Sequence, residues 1–236
     1  MENVDTRRGV VVAVDGPSGS GKSTVSREVA GRLGMDYLDT GAMYRAATWW
    51  CRRSGADLDD QPAAADAVRR MPLRMVTDPA APGVICDGVD ITAAIREAGL
   101  TAVVSKVATN LEVRTELKRR QRDLIATAVA AGPGVVAEGR DITTVVAPDA
   151  DVRILLVADE QARLARRARE RHGAADETAL AATRDEVLRR DADDSTVSSF
   201  HTAADGVVTI DSSALGIEET VAAVLSVITS TQEGRR

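Results

Sequence analysis

The chain has 236 residues, a formal net charge of -6, two cysteines and two histidines, which suits one well-buried α/β core with inserts rather than two domains of average size. The acidic balance argues against a nucleic acid as the main partner, because such binding neutralises many phosphates, and two histidines exclude a multi-histidine metal site. Cys51 and Cys86 lack metal-ligand or redox-motif spacing, the start MENVDTRRG lacks the apolar run of a secretion signal, and no stretch is apolar for long enough to span a bilayer; the expectation is a soluble cytoplasmic monomer with two reduced thiols and no membrane partner.

In chain order, the β-branched run at 10–14 predicts a buried strand that breaks at Asp15-Gly16-Pro17. A helix is expected next, because Val25, Val29 and Leu33 recur at helical spacing and Gly34 is placed to cap it. Further strands are predicted at 134–137, 152–157 and 207–210, with helices over 113–130 and 160–171. Strands alternating with helices imply a parallel sheet covered on both faces. Residues 57–90 break the alternation: Pro62, Pro72, Pro79 and Pro82 punctuate two short antiparallel strand candidates, 73–77 and 83–86, which reads as an inserted subdomain. The stretch around 172–199 is charged and poor in large apolar residues, so its helix over 176–190 is expected to form a mobile lid. The expected division is a core of 1–56, 91–160 and 200–236, an insert of 57–90 within a closing region of about 40–110, and a lid of 161–199. The end of the chain, 230–236, is expected to fray.

Gly16-Pro17-Ser18-Gly19-Ser20-Gly21-Lys22-Ser23 matches G-x-x-x-x-G-K-[ST], and Thr24 follows it into the helix. Its glycines let successive backbone N–H groups turn onto phosphate oxygens, and the helix N-terminus adds partial positive charge. Lys22, one of only three lysines with Lys106 and Lys118, can then reach the β and γ phosphates, and Ser23 can ligate magnesium. The order of the glycines is wrong for a dinucleotide fingerprint. A phosphate loop fixes the donor as a nucleotide but leaves the acceptor open, and the chain carries no N-K-x-D guanine-reading motif.

Five segments in order, VDGPSGSGKST, YLDTGAMYRA, VRTELKRRQR, EGRDITTVVAPDA and RRDADDST, resemble bacterial cytidylate kinases, nucleoside monophosphate kinases of the P-loop class. The resemblance runs from about Val10 to Ile228. It implies a three-layer α/β fold with an inserted acceptor-binding subdomain and a helical lid, and transfer of the γ-phosphate of ATP, with Mg2+, to CMP and dCMP. By motif, it implies that Arg45 and Arg140 hold the acceptor phosphate, that Thr40, Ser105, Arg114 and Asp141 read cytosine beside Tyr44, and that Asp194, with Arg190 beside it, meets the ribose. Cytosine offers an amine donor where uracil offers an oxygen, so a carboxylate such as Asp141 discriminates between them.

Arg163, Arg166 and Arg167 stand at the helix entering the lid, placed to supply cations to the transferring phosphoryl group, whereas Arg169 and Arg171 are expected to face solvent. Glu138 follows a strand at the edge of the site and either holds magnesium through a water or makes a structural hydrogen bond. Trp49 and Trp50 are expected to pack rather than stack on a base. The sequence departs from the family pattern at Val197, where an arginine is usual, at Thr143, where glycine is usual, and at Glu138, more often aspartate. These departures keep two alternatives open: a kinase for UMP or another small acceptor, and a low-turnover ATP-binding regulatory module.

Overall fold

The computed structural model describes residues 9–173 and 176–234, with the side chains of residues 170–172, 186 and 190 outside that description. The first strand, β1 (Val10–Asp15), runs into the phosphate loop and α1 (Lys22–Leu33). Then come β2 (Asp36–Asp39), α2 (Thr40–Arg53), α3 (Gln61–Arg69), β3 (Leu73–Val76), β4 (Gly83–Cys86) and β5 (Val89–Asp90). Two short helices, α4 (Ala98–Thr101) and α5 (Val104–Ala108), precede the long α6 (Leu111–Ala131). The chain finishes with β6 (Gly134–Gly139), β7 (Val152–Val157), α7 (Glu160–His172), α8 (Glu177–Ser195), β8 (Val208–Asp211) and α9 (Ile217–Glu233).

The main sheet has five parallel strands in the order β2-β6-β1-β7-β8. Side chains alternate across a strand, so β1 feeds two cores. Val11 and Ala13 pack with Met43, Ala46, Val113 and Leu117 of α2 and α6, while Val12 and Val14 pack with Val25, Val29, Val221 and Val224 of α1 and α9. Both faces are therefore covered, as continuous apolar strands require. The register brings three strand ends together: Val14 lies opposite Glu138, Asp39 opposite Glu138, and Asp15 opposite Gly139. Those carboxyl-terminal ends are where an open parallel sheet places its ligand crevice.

The three-stranded antiparallel sheet β3-β4-β5 lies within residues 73–90. Its Val84 and Cys86 join Met71, Ala47 and Cys51 in the same core as α2, so this segment packs as an extension of the main body's apolar interior. Trp49 and Trp50 are packed against that core, and Trp50 donates its indole N–H to the Ala67 carbonyl at 2.9 Å.

Three differences from the sequence expectation bear on the site. β2 was not among the expected strands; its four residues, DYLD, carry an acid at each end, and parallel pairing to β6 on one side with the Tyr37 N–H donating to Thr77 O orders them. β6 runs two residues further than expected, so Glu138 lies within the sheet rather than after it. α8 extends to Ser195, capped at its start by Asp176, whose carboxylate accepts from Ala179 N. That extension puts Asp191 and Asp194 on one helical surface, since positions three apart are neighbours.

Candidate active site

A cavity of about 1080 Å³ opens at the carboxyl ends of β1, β2 and β6. Its floor is the phosphate loop, where Gly16 and Gly19 are each required by close approach as well as by positive φ. A Cβ at Gly16 would run into the Leu156 carbonyl oxygen, and one at Gly19 would lie 2.6 Å from the carbonyl oxygen of Arg163. Gly21, left-handed at φ 91, opens α1, whose N-terminal residues Lys22, Ser23 and Thr24 line the cavity. Ser18, Gly19, Ser20, Gly21, Lys22, Ser23 and Thr24 line the space, while Gly16 and Pro17 shape the loop from behind it. Lys22 Nζ donates to the Pro17 carbonyl at 3.2 Å.

Glu138 forms the wall beside the loop. Ser23 Oγ donates to Glu138 Oε1 at 2.6 Å and Tyr37 OH donates to the same oxygen at 3.3 Å. Burial, reinforced by nearby Asp39, pushes the Glu138 carboxyl up, against the opposing pull of Lys22 and the Ser23 hydroxyl. A buried acid with its charge disfavoured and a hydroxyl against it fits a hard divalent cation, which would relieve that penalty. Ser23 and Glu138 are the residues that would hold such an ion; magnesium takes few protein ligands and completes its shell with phosphate and water.

Across the cavity stand the predicted acceptor residues. Asp39 caps α2 by accepting from Ala42 N at 2.8 Å, and its other oxygen holds Arg45 at 3.2 Å and Arg96 at 3.6 Å. Thr40 Oγ1 donates to the Glu138 carbonyl at 2.8 Å. Arg114 Nη2 meets Asp141 Oδ2 at 2.5 Å and Ser198 Oγ at 2.9 Å, and its guanidinium carbon lies 5.7 Å from the Tyr44 ring centroid. Burial holds the Asp141 carboxyl above the ordinary range even with Arg114 beside it. Arg140 Nε meets Asp194 Oδ2 at 2.7 Å, Arg140 Nη1 meets Asp191 Oδ1 at 2.7 Å, and the guanidinium sits 4.5 Å over the Phe200 ring.

Thr40, Tyr44, Arg45, Arg114, Glu138, Arg140, Asp141, Arg166, Arg167 and Asp194 thus join the loop in lining one cavity. Besides Gly16 and Pro17, two described residues of the expected site do not line it. On α5 it is Val104 and Ala108, four apart on one face, that line the cavity, and Ser105 is not among the lining residues. Arg163 is buried behind the phosphate loop, donating to the Ser18 carbonyl at 2.9 Å and paired with Asp191 at 2.5 Å. Arg169 was expected simply to face solvent; it is exposed and also lines the cavity. The Arg190 and Arg171 side chains lie outside the described residues.

Arg166 ties α7 to two loops, reaching Ser20 O at 3.2 Å and Ser212 O at 2.5 Å. Sequence reasoning missed Asp39, Arg96, Asp191 and Ser198. Asp39 alone carried a local signal, an acid directly before a helix; the others gain meaning only from contacts across long stretches of chain.

A phosphate loop between the first strand and helix of a parallel sheet, with arginines facing it over one cavity, defines a P-loop phosphotransferase. The profile of the family described as Cytidylate kinase matches residues 12–230. The cytidylate kinase of Streptomyces avermitilis is 44% identical over 231 residues, covering 97% of each chain. That of Nocardia farcinica is 47% identical over 216 residues, covering 90% of each, and that of Rhodococcus opacus is 47% identical over 221 residues, covering 93% of this chain and 94% of its own. The chain belongs to the cytidylate kinase family and is a phosphotransferase with ATP as co-substrate. No described helix is long and apolar enough to cross a membrane.

Proposed function

We propose that this enzyme transfers the γ-phosphoryl group of ATP to CMP and dCMP with Mg2+, giving ADP and CDP or dCDP. The observation that carries the reading is that the phosphate loop and the Arg114–Asp141 pair open into the same cavity. A donor phosphate on the loop and a cytosine at the pair would place a CMP phosphate between them, beside Arg45 and Arg140. The family relationship supports the same acceptor.

In this reading the loop amides and Lys22 hold the β and γ phosphates. Ser23 and Glu138 hold magnesium, which when bound neutralises charge on the phosphate oxygens. Arg45 and Arg140 fix the acceptor phosphate, Asp194 meets the ribose, and Thr40 and Tyr44 frame the base read by Arg114 and Asp141. A CMP phosphate oxygen attacks the γ-phosphorus, and the bond from that phosphorus to the β–γ bridging oxygen breaks. The acceptor is already anionic, so no strong general base is needed. Alignment and charge stabilisation carry the step, with Arg166 and Arg167 on α7 supplying cations at the transferring group. Segments 57–90 and 161–199 are assigned to acceptor closure and to the lid.

The test is ADP release with CMP, dCMP, UMP, AMP, GMP and shikimate offered separately. Turnover confined to CMP and dCMP supports the assignment. Preference for UMP or shikimate, or ATP binding without turnover on any acceptor, overturns it.

A further inference from the structure

Asp191 was absent from the expected site, yet its carboxylate touches both halves of the cavity. It lies on α8 and is 5% exposed. Its Oδ1 accepts from Ser18 N at 3.1 Å and from Arg140 Nη1 at 2.7 Å. Its Oδ2 accepts from Arg163 Nη1 at 2.5 Å, and that same nitrogen donates to the Ser18 carbonyl at 2.9 Å. Both backbone polar groups of Ser18, in the middle of the phosphate loop, are therefore held by one buried ion pair. The Arg163 backbone closes against the same loop, since its carbonyl oxygen is the atom that forbids a side chain at Gly19.

We propose that Asp191 and Arg163 are positioning residues that fix the phosphate loop and the acceptor arginine in one geometry, so that occupation of either substrate site is felt at the other. The physical path is short. A phosphate arriving at Arg140 draws charge and hydrogen bonds away from Asp191 Oδ1, and that oxygen is the acceptor for the Ser18 amide. Asp194, three residues along on the same helix, holds Arg140 Nε, so Arg140 is tied to α8 at two points. Arg140, Arg163, Asp191 and Asp194 set two guanidinium groups against two carboxyl groups, and an acceptor phosphate at Arg140 competes for those contacts. The Arg140 and Ser18 contacts, with the Arg163 pair, hold the Asp191 carboxyl below the ordinary range against the cost of burial, so it stays ionised through neutral pH. A buried ion pair does not by itself stabilise a fold, which leaves its contact with a loop amide as the feature that demands a role.

The inference rests on the CMP kinase reading, and the experiment separates the two. Wild type, Asp191→Asn, Arg163→Met, Arg163→Lys and the Asp191→Asn/Arg163→Met double variant are compared. The readouts are KM for ATP and for CMP, the affinity for a non-hydrolysable ATP analogue with and without CMP, and the melting temperature. Asp191→Asn is expected to raise both KM values about tenfold, the scale of a lost charged hydrogen bond, and to bring the with-and-without-CMP affinity ratio close to one. Arg163→Met should do the same, the double variant should add little to either single change, and Arg163→Lys should recover part of the loss. Should Asp191→Asn not fold, the Arg163 pair of variants decides the question. A lowered melting temperature with both KM values and the ratio unchanged, or a change in one KM alone, overturns the inference. Absence of CMP turnover in the wild type overturns the kinase reading instead, and the inference falls with it.

Discussion

Arg114 Nη2 and Asp141 Oδ2 lie 2.5 Å apart in the cavity, joining the first turn of the long helix α6 to the residue after Arg140. Ser198 Oγ, from the segment after α8, accepts from the same nitrogen at 2.9 Å. The pair presents a cation and a carboxylate together, the complement of cytosine's N3 acceptor and exocyclic amine donor.

Asp141→Asn and Arg114→Met are each expected to lower kcat/KM for CMP while leaving the KM for ATP near its wild-type value. Leaving one buried partner unpaired costs about 1–3 kcal/mol, roughly 5- to 150-fold. Asp141→Asn should also narrow the preference for CMP over UMP, because an amide can donate to the uracil oxygen. Steady-state kinetics with both acceptors check this, and an unchanged CMP/UMP ratio would count against base reading by the pair.

Glu138→Gln is expected to raise the Mg2+ concentration needed for half-maximal rate by about tenfold or more, with Ser23→Ala acting in the same direction. The reason is their 2.6 Å hydrogen bond and the burial that disfavours charge on Glu138. A magnesium titration of initial rates measures it. An unchanged magnesium requirement would leave Glu138 with a structural role only.

Asp15 accepts from Ile142 N at 2.9 Å, from Thr143 N at 2.7 Å and from Thr143 Oγ1 at 2.6 Å, anchoring the turn that follows Arg140 and Asp141. Burial pushes its carboxyl up to about 6 from an ordinary 3.8, against the three hydrogen bonds that oppose the rise. The folded chain then holds a proton that the unfolded chain gives up, so the contribution is full below about pH 4 and lost as pH rises through about 6. Compared with Asp15→Asn, the wild type should lose up to about 3 kcal/mol of stability between those limits. Urea unfolding of both proteins across that range tests it, and parallel stability curves would contradict it.

Phe200, the chain's only phenylalanine, is fully buried with the Arg140 guanidinium 4.5 Å over its ring. Phe200→Leu should raise the KM for CMP by roughly 3- to 10-fold through loss of this support. Val197, where the family pattern has an arginine, does not line the cavity, and Val197→Arg is expected to leave the KM for CMP unchanged or lower it. A marked loss of activity in Val197→Arg would show that the segment after α8 is arranged differently.

The parallel core was legible because β1, β6 and β7 are near-continuous apolar runs, and the phosphate loop because its glycines follow β1 directly. The edge strand β2 was not, since DYLD has no alternation or apolar run and is ordered by its pairing with β6. Residues carried on local motifs, such as Arg45, Arg140 and Asp141, all line the one cavity. The sequence left Arg163, Arg166 and Arg167 undistinguished because α7 offers these arginines in one turn and a half, and only packing against Gly19 decides that Arg163 is the one buried behind the loop. Asp191 was invisible for a related reason: in an acidic run on an exposed-looking helix, nothing local marks the carboxylate that reaches Ser18, 173 positions away.

The most direct measurement is the yield of CDP and ADP from ATP, Mg2+ and CMP with wild type beside Lys22→Ala. Equal amounts of the two products are expected from the wild type and almost none from the variant. ADP formed without CDP, or an undiminished CDP yield in Lys22→Ala, would contradict this.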